Sequence, residues 1–144
     1  VDDFLEDGYT KEEHKMVNET RKIMHDNNLN ISVTCVRVPI FYCHSESVSV
    51  DFEDDIDIQE IVNLFSNADG IKLINDGKNE NYPTPSMVEG KDDIFIGRIR
   101  KDLGSSRGVN FWLVSDNLRK GAALNAVQIM ESAIKLGKIP NFVG

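Results

Sequence analysis

Apolar positions recur at two different periods along the chain, and the two periods mark its elements. Between residues 11 and 26 they fall at Met16, Val17, Thr20, Ile23 and Met24, the stripe of an amphipathic helix. Thr10-Lys11-Glu12-Glu13 precedes it as a capping box, with Thr10 facing the Glu13 amide and Glu13 reaching back. Asn27, Asn28 and Asn30 then favour a turn. The β-branched run ISVTCVRV (31–38) predicts a strand, which Pro39 interrupts because it cannot donate to a ladder. Residues 41–52 resume an extended course, with Val48, Val50 and Phe52 alternating with polar positions. Helical spacing returns in DIDIQEIVNLFSNA (55–68) at Ile58, Ile61, Val62, Leu64 and Phe65, and Gly70 stops it. A short strand at 71–74 follows.

The stretch 76–91 is the longest irregular one, and loops of that length usually serve function or an interface. Two strands, IFIGRIRK (94–101) and VNFWLVSD (109–116), flank a Gly104–Gly108 hairpin loop. A long helix over about 118–137 ends the chain. Its small residues, among them Gly121, Ala122, Ala123, Ala126 and Ala133, permit close approach to another surface.

Composition narrows the class. The 144 residues suit one domain with a real core. A net charge of −8 argues against a nucleic-acid surface but leaves room for a small anion at a local basic cluster. No apolar run approaches the ~20 residues needed to span a bilayer, and the acidic N-terminus does not read as a signal peptide. Two cysteines eight residues apart match neither a zinc site nor a disulfide framework, so a reduced, cytoplasmic protein without a metal is expected.

Chemistry concentrates in CVRVPIFYCHSE (35–46). Neighbours in a regular strand point to opposite faces, so Cys43 and His44 cannot pair within one, and both cysteines read as small buried hydrophobes. Arg37 is a charge inside an apolar run and calls for a carboxylate or another anion. His44 opens a polar step in the same run. The seven-residue offset puts the two on opposite faces of a straight strand, unless a break at Pro39 changes the register. Arg37 and His44 then read either as an anion site with proton transfer, or as an internal ion pair and a surface histidine. Glu12 and Lys15, three apart on one helix face, read as a second pair of site residues or as an exposed ion pair.

Five separated motifs together resemble the aspartate-semialdehyde dehydrogenase family: YTKEEHKMVNETRKI (9–23), CVRVPIFYCHSESV (35–48), NYPTP (81–85), GRIRKD (97–102) and DNLRKGAALNAVQI (116–129). The resemblance covers nearly the whole chain, in order and spacing, and corresponds to the C-terminal catalytic and dimerisation part. It implies an NADP-dependent reductive dephosphorylation of aspartyl phosphate to aspartate semialdehyde, on the route to lysine, threonine and methionine. It implies that His44 is the catalytic acid/base. Arg37 would take the substrate carboxylate, Glu12 the substrate ammonium, Lys15 the phosphate, and Asn117 would lie near the nicotinamide carboxamide. The family's nucleophilic cysteine and glycine-rich nucleotide loop lie upstream. Neither Cys35 nor Cys43 occupies the nucleophile position, and no G-x-G-x-x-G occurs in these residues. NADP would therefore be bound mainly by an N-terminal domain that these residues do not include, and the chain by itself would be inactive.

The resemblance also implies a homodimer. The expected fold is α+β, a mixed, largely antiparallel sheet with helices on one face, as in the C-terminal domain of glyceraldehyde-3-phosphate-dehydrogenase-like enzymes. Residues 1–117 would form the catalytic and dimerisation domain, and 118–144 a helix that packs on the nucleotide domain. A non-catalytic dimerisation or ligand-binding module of the same fold is the alternative. An N-acetylglutamyl-phosphate-type reductase fits the KEEHK and CVRV motifs less well.

Overall fold

A computed structural model describes residues 3–74 and 81–139. The chain divides into two compact units, Val1–Pro39 and Ile40–Gly144.

The first unit is built on helix α1, Lys11–Met24. The capping box is present in full: Thr10 Oγ1 accepts from the Glu13 amide at 3.2 Å, and the Thr10 amide donates to Glu13 Oε2 at 2.7 Å. His25, left-handed at φ 55°, closes the helix by donating to the Arg21 and Lys22 carbonyls. The Arg21 guanidinium then donates to the Leu29 carbonyl at 3.1 and 2.9 Å, which holds the following turn.

The expected strand over 31–38 does not form; the segment carries no regular secondary structure. Its period-two pattern nevertheless survives, with Ile31, Val33 and Cys35 half-buried and Ser32, Thr34 and Val36 exposed. The segment is tied to α1 instead of to a ladder: the Cys35 amide donates to Glu13 Oε1 at 2.7 Å, and Cys35 Sγ lies 3.5 Å from Met16 Sδ. β-branched residues favour an extended backbone, but a strand also needs a pairing neighbour. The expected α1 stripe is likewise incomplete, since Ile23 and Met24 are 73% and 63% exposed.

The second unit is a four-stranded sheet in the order β1-β4-β3-β2, with β1 His44–Asp51, β2 Ile71–Ile74, β3 Ile94–Lys101 and β4 Gly108–Ser115. β4 pairs antiparallel with both β1 and β3, while β2 runs parallel to β3. The mixed, largely antiparallel α+β architecture is the expected one. Helix α2, Ile58–Asn67, begins later than its periodicity suggests because the Asp57 carboxylate caps it at the Gln59 amide. It lays Ile58, Ile61, Val62 and Phe65 against Ile94, Ile96 and Ile99 of β3 and Val109, Phe111 and Leu113 of β4.

Ile94, Ile96 and Ile99 cannot share one face of a regular strand, because their spacing changes from two to three. A bulge resolves this: Gly97 pairs with Trp112 and Arg100 with Asn110, so that Arg98 and Ile99 stand opposite Phe111 alone. Arg98 takes φ 56° to make the step. Burying Ile99 in this way is worth roughly 1.5–3 kcal/mol relative to leaving it in water.

The opposite face holds a second cluster of Cys43, Val88, Phe95 and Val114, flanked by Ile74 and Trp112. Within the long irregular stretch, residues 75–80 lie outside the described residues. From Asn81 the chain crosses this face and forms a short helix α3, Pro85–Val88, so helical structure occupies both faces. The Trp112 indole N–H donates to the Pro83 carbonyl at 2.8 Å and fixes the crossing. The final helix is not continuous either. A wide turn at Arg119–Ala123, with Ala122 outside helical geometry, precedes α4, Leu124–Lys135. Its long side chains are tied elsewhere, Arg119 to Asp92 at 2.5 Å and Lys120 to Gln128 at 2.7 Å. Among the described residues no helix is long and apolar enough to cross a membrane.

Gly97 marks where the crossing approaches the sheet. A Cβ there would sit 2.7 Å from the Ile74 carbonyl oxygen and 2.8 Å from Pro83 Cδ. Gly97→Ala is expected to destabilise the second unit by about 1–3 kcal/mol. Urea denaturation checks it, and an unchanged midpoint would show that β2 and Pro83 give way freely.

Candidate functional site

In the first unit the capping glutamate is the centre of the local structure. Glu13 is buried, and its carboxylate accepts from the Cys35 amide, the Thr10 amide and the Thr10 hydroxyl at 2.7, 2.7 and 3.0 Å. These donors, the Cys35 amide foremost, hold its carboxyl below the ordinary value of 4.5. Glu13 thus fixes the backbone two residues before Arg37. Arg37 itself is exposed. Glu12, the neighbouring site candidate, is half-buried on α1. Lys15 pairs with Glu19 at 3.9 Å along the helix rather than with Glu12. Arg37, Glu12 and Lys15 therefore belong to one unit, and only Lys15 has a carboxylate from its own helix.

In the second unit His44 and Asn117 sit at one corner of the sheet. His44 is the first residue of β1, pairs with Ser115 at the end of β4, and is exposed. Cys43 before it is not extended, as the sequence pattern suggests, but left-handed at φ 74°. A non-glycine residue there costs about 1–2 kcal/mol, so its surroundings must hold it. They do so at its amide, which donates to Asn117 Oδ1 at 3.0 Å, and at its thiol, which lies 3.6 Å from the Pro85 carbonyl. The side chain is buried among Val88, Phe95 and Val114.

Burial pushes the Cys43 thiol up from its ordinary 9.0, and the charges of Asp116 and Glu89 add to the effect. That environment is the reverse of what activates a cysteine nucleophile. Asp116 was not singled out by its sequence context, yet it organises the corner. Buried at 4% exposure, it accepts from the Gly90 amide at 2.8 Å and from the Leu118 and Arg119 amides at 2.9 and 3.2 Å. The Gly90 amide leads in lowering its carboxyl pKa. An aspartate directly before a helical pattern is a helix-start signal, and that was the available clue. Among the described residues no group of three or more His, Cys, Asp or Glu side chains is gathered as for a metal.

The family profile of the semialdehyde dehydrogenase dimerisation domain matches residues 1–120. The chain belongs to that family. Aspartate-semialdehyde dehydrogenases of Aquifex aeolicus and Bacillus subtilis are 54% and 50% identical to it over 139 and 140 residues, 96% of this chain in each case. A solved structure described as aspartate semialdehyde dehydrogenase II complexed with ASA, from Vibrio cholerae, superposes with a TM-score of 0.87 at 44% identity over 94% of this chain. The chain spans about two fifths of these relatives, 41%, 40% and 40% of their lengths. As a semialdehyde dehydrogenase dimerisation domain, it carries the α+β fold expected for that part of the enzyme.

Two expectations follow from the local chemistry. Cys43 in the native chain should resist iodoacetamide at pH 8 and label only in denaturant. Mass-spectrometric mapping checks this, and native labelling at the unfolded rate would contradict the buried, neutral thiol. Glu13, with its folded pKa depressed, contributes stability that is fully present above its ordinary value of 4.5. That contribution is lost as the pH falls through the lower folded value. Glu13→Gln should therefore reduce stability at pH 7 and flatten its fall below pH 4.5; an equal loss at all pH values would refute the linkage.

Proposed function

We propose that this chain is the catalytic and dimerisation part of an NADP-dependent aspartate-semialdehyde dehydrogenase. The enzyme would interconvert aspartyl phosphate and aspartate semialdehyde with release or uptake of phosphate. The observation that carries the reading is the family match over residues 1–120; the roles of Glu12, Lys15, Arg37 and His44 are part of the proposal and rest on the motif resemblance.

In this reading each residue does what its chemistry suits. Arg37 presents a planar fork that holds the substrate carboxylate through two parallel hydrogen bonds and so sets its orientation. Glu12 meets the substrate ammonium. Lys15 supplies a compact positive charge for phosphate. His44, exposed at the start of β1, gives and takes the proton at the reacting oxygen, as an imidazole with one donor and one acceptor nitrogen can. A bound NADP would carry the hydride, its reduced form giving it toward the semialdehyde and its oxidised form taking it in reverse. Of this chain's residues, Asn117 suits contact with its carboxamide. Asn117 Oδ1 is engaged by the Cys43 amide, which leaves the Nδ2 hydrogens as donors.

In this reading the nucleophilic cysteine falls outside these residues: Cys43 is buried with its thiol pKa raised, and Cys35 lies away from the nucleophile position that the resemblance implies. The 144 residues alone should accordingly give no turnover. The protein would work as a cytoplasmic homodimer, with the segment from 118 onwards packing on the nucleotide domain.

In the full-length enzyme, His44→Gln should lower kcat by roughly 10²–10⁴-fold. Arg37→Lys should raise the KM for the semialdehyde by roughly ten- to hundredfold, with a smaller effect on the KM for NADP. Steady-state kinetics of both variants, run with NADP and NAD in parallel, is the test. Full turnover of the His44 variant, or measurable turnover by the 144 residues alone, would overturn the assignment.

A further inference from the structure

We propose that Asn117, set in place by Asp116, is a positioning residue for His44, acting through the Cys43 backbone independently of any contact with cofactor. The proposal rests on the reading of His44 as the acid/base and adds to it the means by which that side chain is aimed.

Three observations carry it. First, Cys43 is left-handed at φ 74°, and a relaxation of that residue to an extended conformation would swing the start of β1 and carry His44 with it. Second, its amide is held by the side chain of a residue distant in sequence, Asn117 Oδ1 at 3.0 Å. Third, Asn117 is not on a free loop. It lies two residues beyond the end of β4, and Asp116 between them fixes that junction by accepting from the amides of Leu118 and Arg119 on one side and of Gly90 on the other. Ser115, the residue before Asp116, is the ladder partner of His44. The corner is thus closed twice, once through the β1–β4 ladder and once through the Asn117 side chain. Thiol burial among Val88, Phe95 and Val114 keeps Cys43 from turning outward.

The two roles open to Asn117 use different atoms. Positioning uses the oxygen, as acceptor of the Cys43 amide. A carboxamide contact uses the Nδ2 hydrogens, as donors. Aspartate keeps the first and removes the second, and a carboxylate accepts an amide hydrogen bond at least as well as a carboxamide does. Alanine removes both.

The experiment compares Asn117→Asp, Asn117→Ala, Asp116→Asn and His44→Gln in the full-length enzyme. Each is followed by kcat, by KM for semialdehyde and for NADP, and by the pH dependence of kcat. Asn117→Ala should lose about tenfold or more in kcat, since small displacements of a reacting group cost up to about a hundredfold. Asn117→Asp should recover most of that kcat at its own pH optimum while its KM for NADP stays raised. The added carboxylate favours the imidazolium, so the limb of the profile belonging to His44 should move to higher pH. Asp116→Asn, which turns a donor toward the Gly90 or the helix amides, should resemble Asn117→Ala in kcat with a near-normal KM for NADP.

Should Asn117→Ala not fold, as judged by thermal unfolding, Asn117→Ser takes its place in the comparison. Equal loss of kcat in Asn117→Asp and Asn117→Ala, with His44→Gln inactive, would overturn the positioning role alone. Full activity of His44→Gln would overturn the acid/base reading and the proposal with it.

Discussion

The second unit depends on one irregularity, the bulge that lets β3 change register beside β4. Without it Ile99 would turn away from α2, and the cluster of Ile61, Ile96, Ile99 and Val109 would lose a member. With it, one strand serves two faces: Ile94, Ile96 and Ile99 meet α2, while Phe95 meets Val88 and Val114. The cost falls on Arg98, held at φ 56°. Arg98 offsets part of that by stacking its guanidinium over the Tyr82 ring at 5.8 Å. Gly97 next to it lets the β2 backbone and Pro83 come close. Sheet packing and the loop crossing therefore share one local solution, and changes on one side of β3 are felt on the other.

β4 then carries this order to the sheet corner. It is the only described strand with a neighbour on each side in antiparallel pairing. It ends at Ser115, against His44. Asp116 and Asn117 come immediately afterwards, so the residues that close the corner are delivered by the most constrained strand of the unit. A side chain on a rigid element is held more closely than one on a loop. That explains why an exposed histidine can still have a defined backbone.

Much of this was legible in the sequence, and the rest was hidden for physical reasons. The capping box, α2, β2, β3 and β4 could be read because local propensity and period agree there. ISVTCVRV reads as a strand from its β-branched residues, but pairing is a property of what lies alongside, and α1 lies alongside instead. The bulge leaves a trace in the sequence, the two-then-three spacing of Ile94, Ile96 and Ile99, which alternation alone does not decode. Left-handed Cys43 leaves none, because the conformation is imposed by Asn117 seventy-four residues away. The break at Arg119–Ala123 was likewise hidden, because the apolar spacing runs on through Leu118, Ala122 and Leu124 into α4. Among the candidate residues, the resemblance supplied His44, Arg37, Glu12, Lys15 and Asn117. Residue chemistry alone left Arg37, His44, Glu12 and Lys15 open between site and surface.

The residues that hold the candidates in place are of a different kind from the candidates themselves. Each unit has a buried carboxylate that accepts from amides close by in the chain and also reaches a remote one: Glu13 takes the Cys35 amide, and Asp116 takes the Gly90 amide. A carboxylate withdrawn from water is tolerated only when its oxygens are well supplied with donors, and both are. A carboxylate with local bonds alone would hold its own turn and do nothing more. With a further bond to a distant segment, the same charge ties that segment to the local turn. In the first unit this fixes the backbone leading to Arg37; in the second it fixes the turn leading to Asn117. Both anchors keep their charge at neutral pH because their donors depress their pKa values.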